Sequence, residues 1–347
     1  MPIIEKMIVH NLNLGGDTPI HSDDLINLPD LELENGALDF FREHIRNNRL
    51  HSNTKRCNFK PTTANHLKTS IIEMNGAYNE QNFDDLFIEK SIIIADHLAN
   101  SMRGKSSSDG SVFILLYTYE DQRYLGILKM DPNLGIQVTE DLTLIVRPHM
   151  LPSTKVKLHK SAFILFQNEF NEGQTHLYAL DRQQTKDEAA KYFMNDFLQA
   201  QERANDSNMT TTIEREIKNE ICAQIQSPQL RSEFSSKLKT KLISGEVFNL
   251  DEDLPPLARE FFPVGFALAE SIDSIKVRVF TKYPDATFEF TPNPLKVKGI
   301  EFKSEDQSVT IKINVDVDED LYSYDTDEET GETVFRFSPV LNVIPKN

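Results

Sequence analysis

Between Val112 and Leu180 the chain carries five short runs of β-branched, leucine and aromatic residues. They are Val112 to Tyr119, Tyr124 to Met130, Leu142 to Val146, Ala162 to Phe166 and Thr175 to Leu180. Each is bounded by Asp, Asn, Gly or Pro, residues that interrupt strands and form turns. Glu120-Asp121-Gln122-Arg123 supplies the hairpin turn between the first two. These runs predict an antiparallel sheet, and the segments before them predict the helices that cover it. Ile3 to Val9 reads as a short strand. Leu38, Phe41 and Ile45 then recur at helical spacing, and Leu86, Ile88, Ile92, Ala95, Leu98 and Met102 form a second helical stripe over Phe83 to Met102.

Beyond the sheet the period changes. Thr185 with Glu188 fits a capping box, opening a helix with Ala189, Phe193 and Phe197 in one row and Ala190, Met194 and Leu198 beside it. The polar stretch Gln201 to Thr210 reads as a linker or an exposed loop. Ile213, Ile217, Ile221 and Ile225 recur every four residues. Pro228 after Ser227 suits the first position of a helix carrying Leu230, Phe234, Leu238 and Leu242, which Gly245 stops. From Ile275 the pattern returns to strands: Ile275 to Phe280, Thr287 to Thr291, Val297 to Phe302, Val309 to Val315 and Val334 to Phe337. The fold class is α+β. A domain over 1–205 holds a mostly antiparallel sheet with helices, and 206–347 hold a helical unit and a small C-terminal β region. A length of 347 residues accommodates two such domains.

Several stretches, in order and spanning nearly the whole chain, resemble the nucleoid-associated NdpA-type family of bacteria. They include Ile8-Val9-His10-Asn11-Leu12, His21-Ser22-Asp23-Asp24-Leu25 and Phe40-Phe41-Arg42-Glu43-His44-Ile45. Gly126-Ile127-Leu128-Lys129-Met130-Asp131, Leu151-Pro152-Ser153 and Lys160-Ser161-Ala162-Phe163-Ile164 follow. Lys191-Tyr192-Phe193-Met194-Asn195-Asp196-Phe197-Leu198 and Leu295-Lys296-Val297-Lys298-Gly299-Ile300 complete the series. The resemblance implies a bacterial, cytoplasmic protein of the nucleoid that associates with DNA and is not an enzyme. It brings no catalytic residue, cofactor or DNA-contacting residue with it.

Net charge opposes a simple version of that role. With 37 basic and 54 acidic residues the formal charge is −17, so the chain as a whole repels phosphate. Direct binding of DNA then requires a local basic patch, strengthened by assembly into a homo-oligomer. Three clusters qualify: Lys155, Lys157 and Lys160 around a loop and strand edge; Arg231, Lys237, Lys239 and Lys241 on the Pro228 helix; and Lys296 with Lys298 near Lys282. The helix cluster is preferred, because its apolar row leaves these side chains facing solvent. The competing expectation is a protein–protein interaction module in a chromosome-associated or phage-defence assembly, which touches DNA only through a protein partner.

Other chemistries find little support. Ala99 to Ser106 matches a relaxed phosphate-loop pattern, but a helical stripe enters it and a strand leaves, the reverse of what phosphate cradling needs. Asp316, Asp318 and Asp320 have the spacing of a calcium loop. Leu321 stands where its glycine belongs, however, and Asp327 where a bidentate Glu belongs. The surrounding stretch, Asp316 to Glu332, has nine carboxylates and no Lys or Arg, and reads as a solvated acidic connection; the alternative is a self-regulating loop that competes with DNA for the chain's own basic patch. No nucleophile elbow is present, and Cys57 and Cys222 lie far apart without a metal-binding pattern. No cofactor and no metal are expected. The N-terminus lacks a signal-peptide pattern, and no apolar run is long enough to span a membrane.

Overall fold

In the computed structural model seven of the strands before residue 203 assemble into one antiparallel sheet. The structure describes residues 1–338 apart from 34–35, 52, 62–63, 106–108, 132, 139–140, 142, 151–159, 182–191, 264–265, 298–299, 304–309, 314–321 and 327–332. Two compact units emerge, Met1–Arg203 and Ala204–Asn347.

The first unit runs β1 (Ile3–Asn11), α1 (Leu28–Leu33), α2 (Ala37–Arg49), β2 (Lys55–Phe59), α3 (His66–Gly76), α4 (Phe83–Met102), β3 (Ser111–Tyr119) and β4 (Gln122–Met130). It continues through β5 (Asn133–Val138), β6 (Leu144–Met150), β7 (Lys160–Leu165), β8 (Leu177–Asp181), a π-helical turn at Tyr192–Phe197 and β9 (Ala200–Glu202). The strand order is β1-β3-β4-β7-β8-β2-β9, while β5 and β6 pair with each other. The expected 142–146 strand thus belongs to a separate two-stranded ribbon. Glu120 and Asp121 make the β3–β4 turn, both with positive φ (51° and 59°). Left-handed backbone at both central positions is what a two-residue hairpin requires.

Alternation along the strands gives the sheet two apolar faces. Ile114, Leu116, Leu125, Ile127, Ala162 and Ile164 pack under α3, α4 and the π turn. Phe113, Leu115, Tyr117, Tyr124, Leu128 and Phe163 pack under α2, through its Leu38, Phe41 and Ile45. Helix α4 has the bounds its sequence stripe predicts. By contrast β2, α1 and α3 have no counterpart in the sequence reading.

The second unit contains α5 (Asp206–Glu220), α6 (Pro228–Ile243), β10 (Phe248–Asn249), α7 (Leu250–Arg259), α8 (Leu268–Lys282), β11 (Glu289–Phe290), β12 (Ile300–Lys303), β13 (Thr310–Ile313), β14 (Tyr322–Thr326) and β15 (Thr333–Phe337). Its core joins Ile213, Ile217, Phe234, Leu238, Leu254, Ile275 and Val279. Two expectations need correction here. Ile275 to Phe280 is helix α8, not a strand: Ile272, Ile275 and Val279 bury one helical face, and that spacing outweighs β-branched content. Gln201 to Thr210 is not a linker. It ends β9 and starts α5, where Asn205 and Asn208 cap each other reciprocally. The Thr185–Glu188 capping box lies outside the described residues, as do Asp316, Asp318, Asp320 and Asp327 of the calcium-like spacing. Tyr322–Thr326 of the acidic stretch forms β14.

Candidate nucleic-acid interface

An arginine or lysine attracts phosphate to the extent that no carboxylate already neutralises it, so each predicted contact is judged by what surrounds it. On α6, Lys237 is bonded to Glu260 and lies 3.5 Å from Glu233. Lys241 reaches Glu246 at 3.1 Å and Asp253 at 3.2 Å. Lys239 is only 6% exposed, and burial pulls its ammonium down to about 8. Arg231 turns back to donate to the carbonyl of Ile225, at 2.9 Å from Nη2 and 3.2 Å from Nε. The expectation that this row faces solvent is corrected for Lys239, which is buried, while Arg231 is exposed. Of the apolar row Phe234, Leu238 and Leu242 are buried and Leu230 is exposed, and α7 and its neighbours supply acids to Lys237 and Lys241.

Lys160 is corrected for a different reason. It is 2% exposed, and its Nζ donates to Asp181 Oδ1 at 2.8 Å, beneath the rings of Tyr192 (5.0 Å) and Phe193 (5.8 Å). Register explains the pairing, since Lys160 stands directly opposite Lys129 on β4 and Asp181 on β8. Lys129 is in turn bonded to Asp131. This buried rung of charge cannot offer an ammonium to a ligand in solution. Lys155, Lys157 and Lys298 lie outside the described residues. Lys296 is exposed, on a short 3-10 turn, and Lys282 lies over the ring of Tyr283 at 4.8 Å.

Pairing assembles a different basic surface, from residues that no local cluster joins. On the α2 side of the sheet Tyr117 stands opposite Tyr124, Phe163 opposite Tyr178 and Tyr178 opposite Arg56. Directly opposed residues of antiparallel strands project from the same face. The strip continues to Arg203, whose amide donates to the Arg56 carbonyl at 2.8 Å. From α2, Arg49 reaches into it: its guanidinium lies 4.7 Å from the ring of Tyr119, 4.5 Å from Tyr124 and 5.0 Å from Tyr178. Arg49 Nη2 donates to the Tyr124 hydroxyl at 2.7 Å. Its Nη1 and the Tyr117 hydroxyl are buried and make no hydrogen bond among the described residues. Arg46, three residues back on α2, is exposed, as is Arg56. Among the described residues neither Arg46, Arg49 nor Arg56 is paired with a carboxylate. The Arg203 guanidinium donates to the Gly173 carbonyl at 3.1 Å.

The same unit holds a buried Ser–His pair, Ser91 with His10. The Ser22 amide donates to His10 Nδ1 at 3.2 Å, which assigns the ring proton to Nε2. Nε2 then donates to Ser91 Oγ at 2.9 Å, and the Ser91 hydroxyl donates to the Ile88 carbonyl at 2.7 Å. A general base must accept from the hydroxyl, and here the polarity is reversed and both side chains are buried. The pair is a structural tie. Among the described residues no group of three or more His, Cys, Asp or Glu is placed to hold a metal. The Ala99 to Lys105 stretch is the end of α4 and a turn, with Lys105 2.6 Å from Asp196, and forms no phosphate cradle.

A family model described as nucleoid-associated protein YejK matches residues 8–335. The chain belongs to that family. No curated protein matches it. Membership covers both units and agrees with the resemblance carried by the ordered stretches of sequence. No described helix is long and apolar enough to cross a membrane.

Proposed function

We propose that the chain contacts DNA directly and without chemistry, through phosphate contacts made by the arginine–tyrosine strip of the first unit rather than by the lysines of α6. One observation carries this reading: Arg46 and Arg56 are exposed and carboxylate-free beside the tyrosine-held Arg49, in a chain whose α6 lysines are matched to acids. Uncompensated guanidinium groups give a local positive field that a net charge of −17 does not cancel at contact distance, because screening confines each charge to about 10 Å at 0.1 M salt. Nothing in the strip reads base edges, so the contact is independent of sequence.

The test is binding of the full chain to labelled duplex DNA across a salt series. Affinity should fall steeply between about 50 and 200 mM salt. Arg46→Gln and Arg56→Gln should each flatten the logarithmic slope by about one. Lys237→Gln and Lys241→Gln should leave it unchanged. If no binding occurs at about 50 mM salt, DNA association is indirect and runs through a protein partner.

A further inference from the structure

We infer that the arginine–tyrosine strip takes single-stranded DNA in preference to duplex, an inference that rests on the phosphate-contact reading above. Shape is the first reason. The strip crosses the strands, from Tyr124 on β4 over β7 to Tyr178 on β8, Arg56 on β2 and Arg203 beside β9. At roughly 4.8 Å between neighbouring strands it extends for about 19 Å. Helix α2 covers the Tyr117–Phe163 part of this face, which leaves Tyr178, Arg56 and Arg203 at its accessible end, whereas a major groove about 12 Å wide admits a helix or a two-stranded ribbon. Duplex DNA can touch such a surface only along its backbone.

Chemistry is the second reason. Tyr119 and Tyr178 are half-buried, with the Arg49 guanidinium over both rings at 4.7 and 5.0 Å. Tyrosine rings and an arginine plane held at fixed orientation form a stacking platform for unpaired bases, whose faces a duplex keeps inside its own stack. Flanking arginines at 46 and 56 would follow a single row of phosphates. Glu120 and Asp121 at the β3–β4 turn set negative charge at one end of the strip, close enough for Glu120 to act on Tyr124. A single strand can keep its one phosphate row clear of them, while a duplex brings a second row toward them.

The experiment compares the full chain on a labelled 16-nucleotide DNA single strand (a length chosen at about the upper site size of one binding module) and on the duplex of the same sequence. Both are measured at about 100 mM salt, where phosphate contact still operates. Single-strand affinity should exceed duplex affinity by about tenfold. Tyr178→Leu, which keeps apolar bulk and removes the ring, should weaken single-strand binding about tenfold and duplex binding far less, as loss of one stacked base predicts. Tyr178→Phe should retain it. Because the chain has no Trp, its intrinsic emission is tyrosine emission. Quenching by the oligonucleotide should therefore shrink in Tyr178→Leu and report engagement even if that variant is less stable. Equal or tighter duplex binding with Tyr178→Leu neutral would overturn the inference and leave phosphate contact standing. Binding to neither probe, or binding to both that ignores Arg56→Gln, would instead remove the phosphate-contact reading beneath it.

Discussion

Lys160 and Asp181 illustrate how a side chain's neighbours, more than its identity, decide what it does. Their side chains are 2% and 1% exposed, so two charges are held out of water and depend on each other. Burial draws the Lys160 ammonium below its ordinary range, and the Asp181 carboxylate opposes that shift. Removing one partner, as in Asp181→Ala, should cost about 3–5 kcal/mol in urea unfolding, whereas Lys160→Met with Asp181→Leu together should cost far less. His10 gives a pH prediction. Burial, aided by repulsion from His21, lowers its imidazole from 6.5 to about 4. The unfolded chain therefore takes up this proton near pH 6.5 and the folded chain only near 4. Stability present above pH 6.5 is lost as pH falls through that window, by about 3 kcal/mol for the full shift. Urea midpoints measured from pH 7 to 4 should show the loss, and His10→Gln should flatten it. At this scale the sequence was a poor guide to the interface. Lysine spacing on α6 shows which way a helix turns but not that Glu246, Asp253 and Glu260 stand across from it.

Elements were more legible where one physical signal dominated. The twenty-residue α4 has a long apolar stripe, and the β3–β4 hairpin has two dense apolar strands around a turn, so both appear where periodicity puts them. Helix α8 did not, because Ile275, Val277, Val279 and Phe280 have strand-like composition while their burial follows a helical face. Strand β2 was hidden for the opposite reason: in Lys55-Arg56-Cys57-Asn58-Phe59 only Cys57 and Phe59 are apolar, and it is a strand because β8 and β9 flank it. Two predictions belong here. Asp121 adopts φ 59° without the freedom of glycine, so Asp121→Gly should raise stability by about 1 kcal/mol and the melting temperature with it. Asn205 accepts from the Asn208 amide while the Asn208 side chain accepts from its own, so Asn205→Ala should cost about 1 kcal/mol.

At the scale of the whole molecule, an α+β class and a nucleoid-associated family were both readable in the sequence, because ordered apolar stretches set them. The strip was not. Arg46, Arg49, Arg56, Tyr119, Tyr124, Tyr178 and Arg203 are spread along the chain, and only strand register gathers them. Net charge predicts behaviour in bulk. A chain at −17 should stay dispersed at low salt, and its DNA association should be lost by about 200 mM salt if phosphate contact alone sustains it. Strand order also has a consequence during synthesis. Strand β2 is made early, yet its partners are β8 and β9, so more than a hundred residues must leave the ribosome before Arg56 has a neighbour. At about 5–20 residues per second, β2 waits several seconds or longer unpaired. A nascent chain stalled before Leu177 should thus lack both the finished sheet and the strip, and the ability to hold DNA should be acquired only once the first unit, to Arg203, has been made.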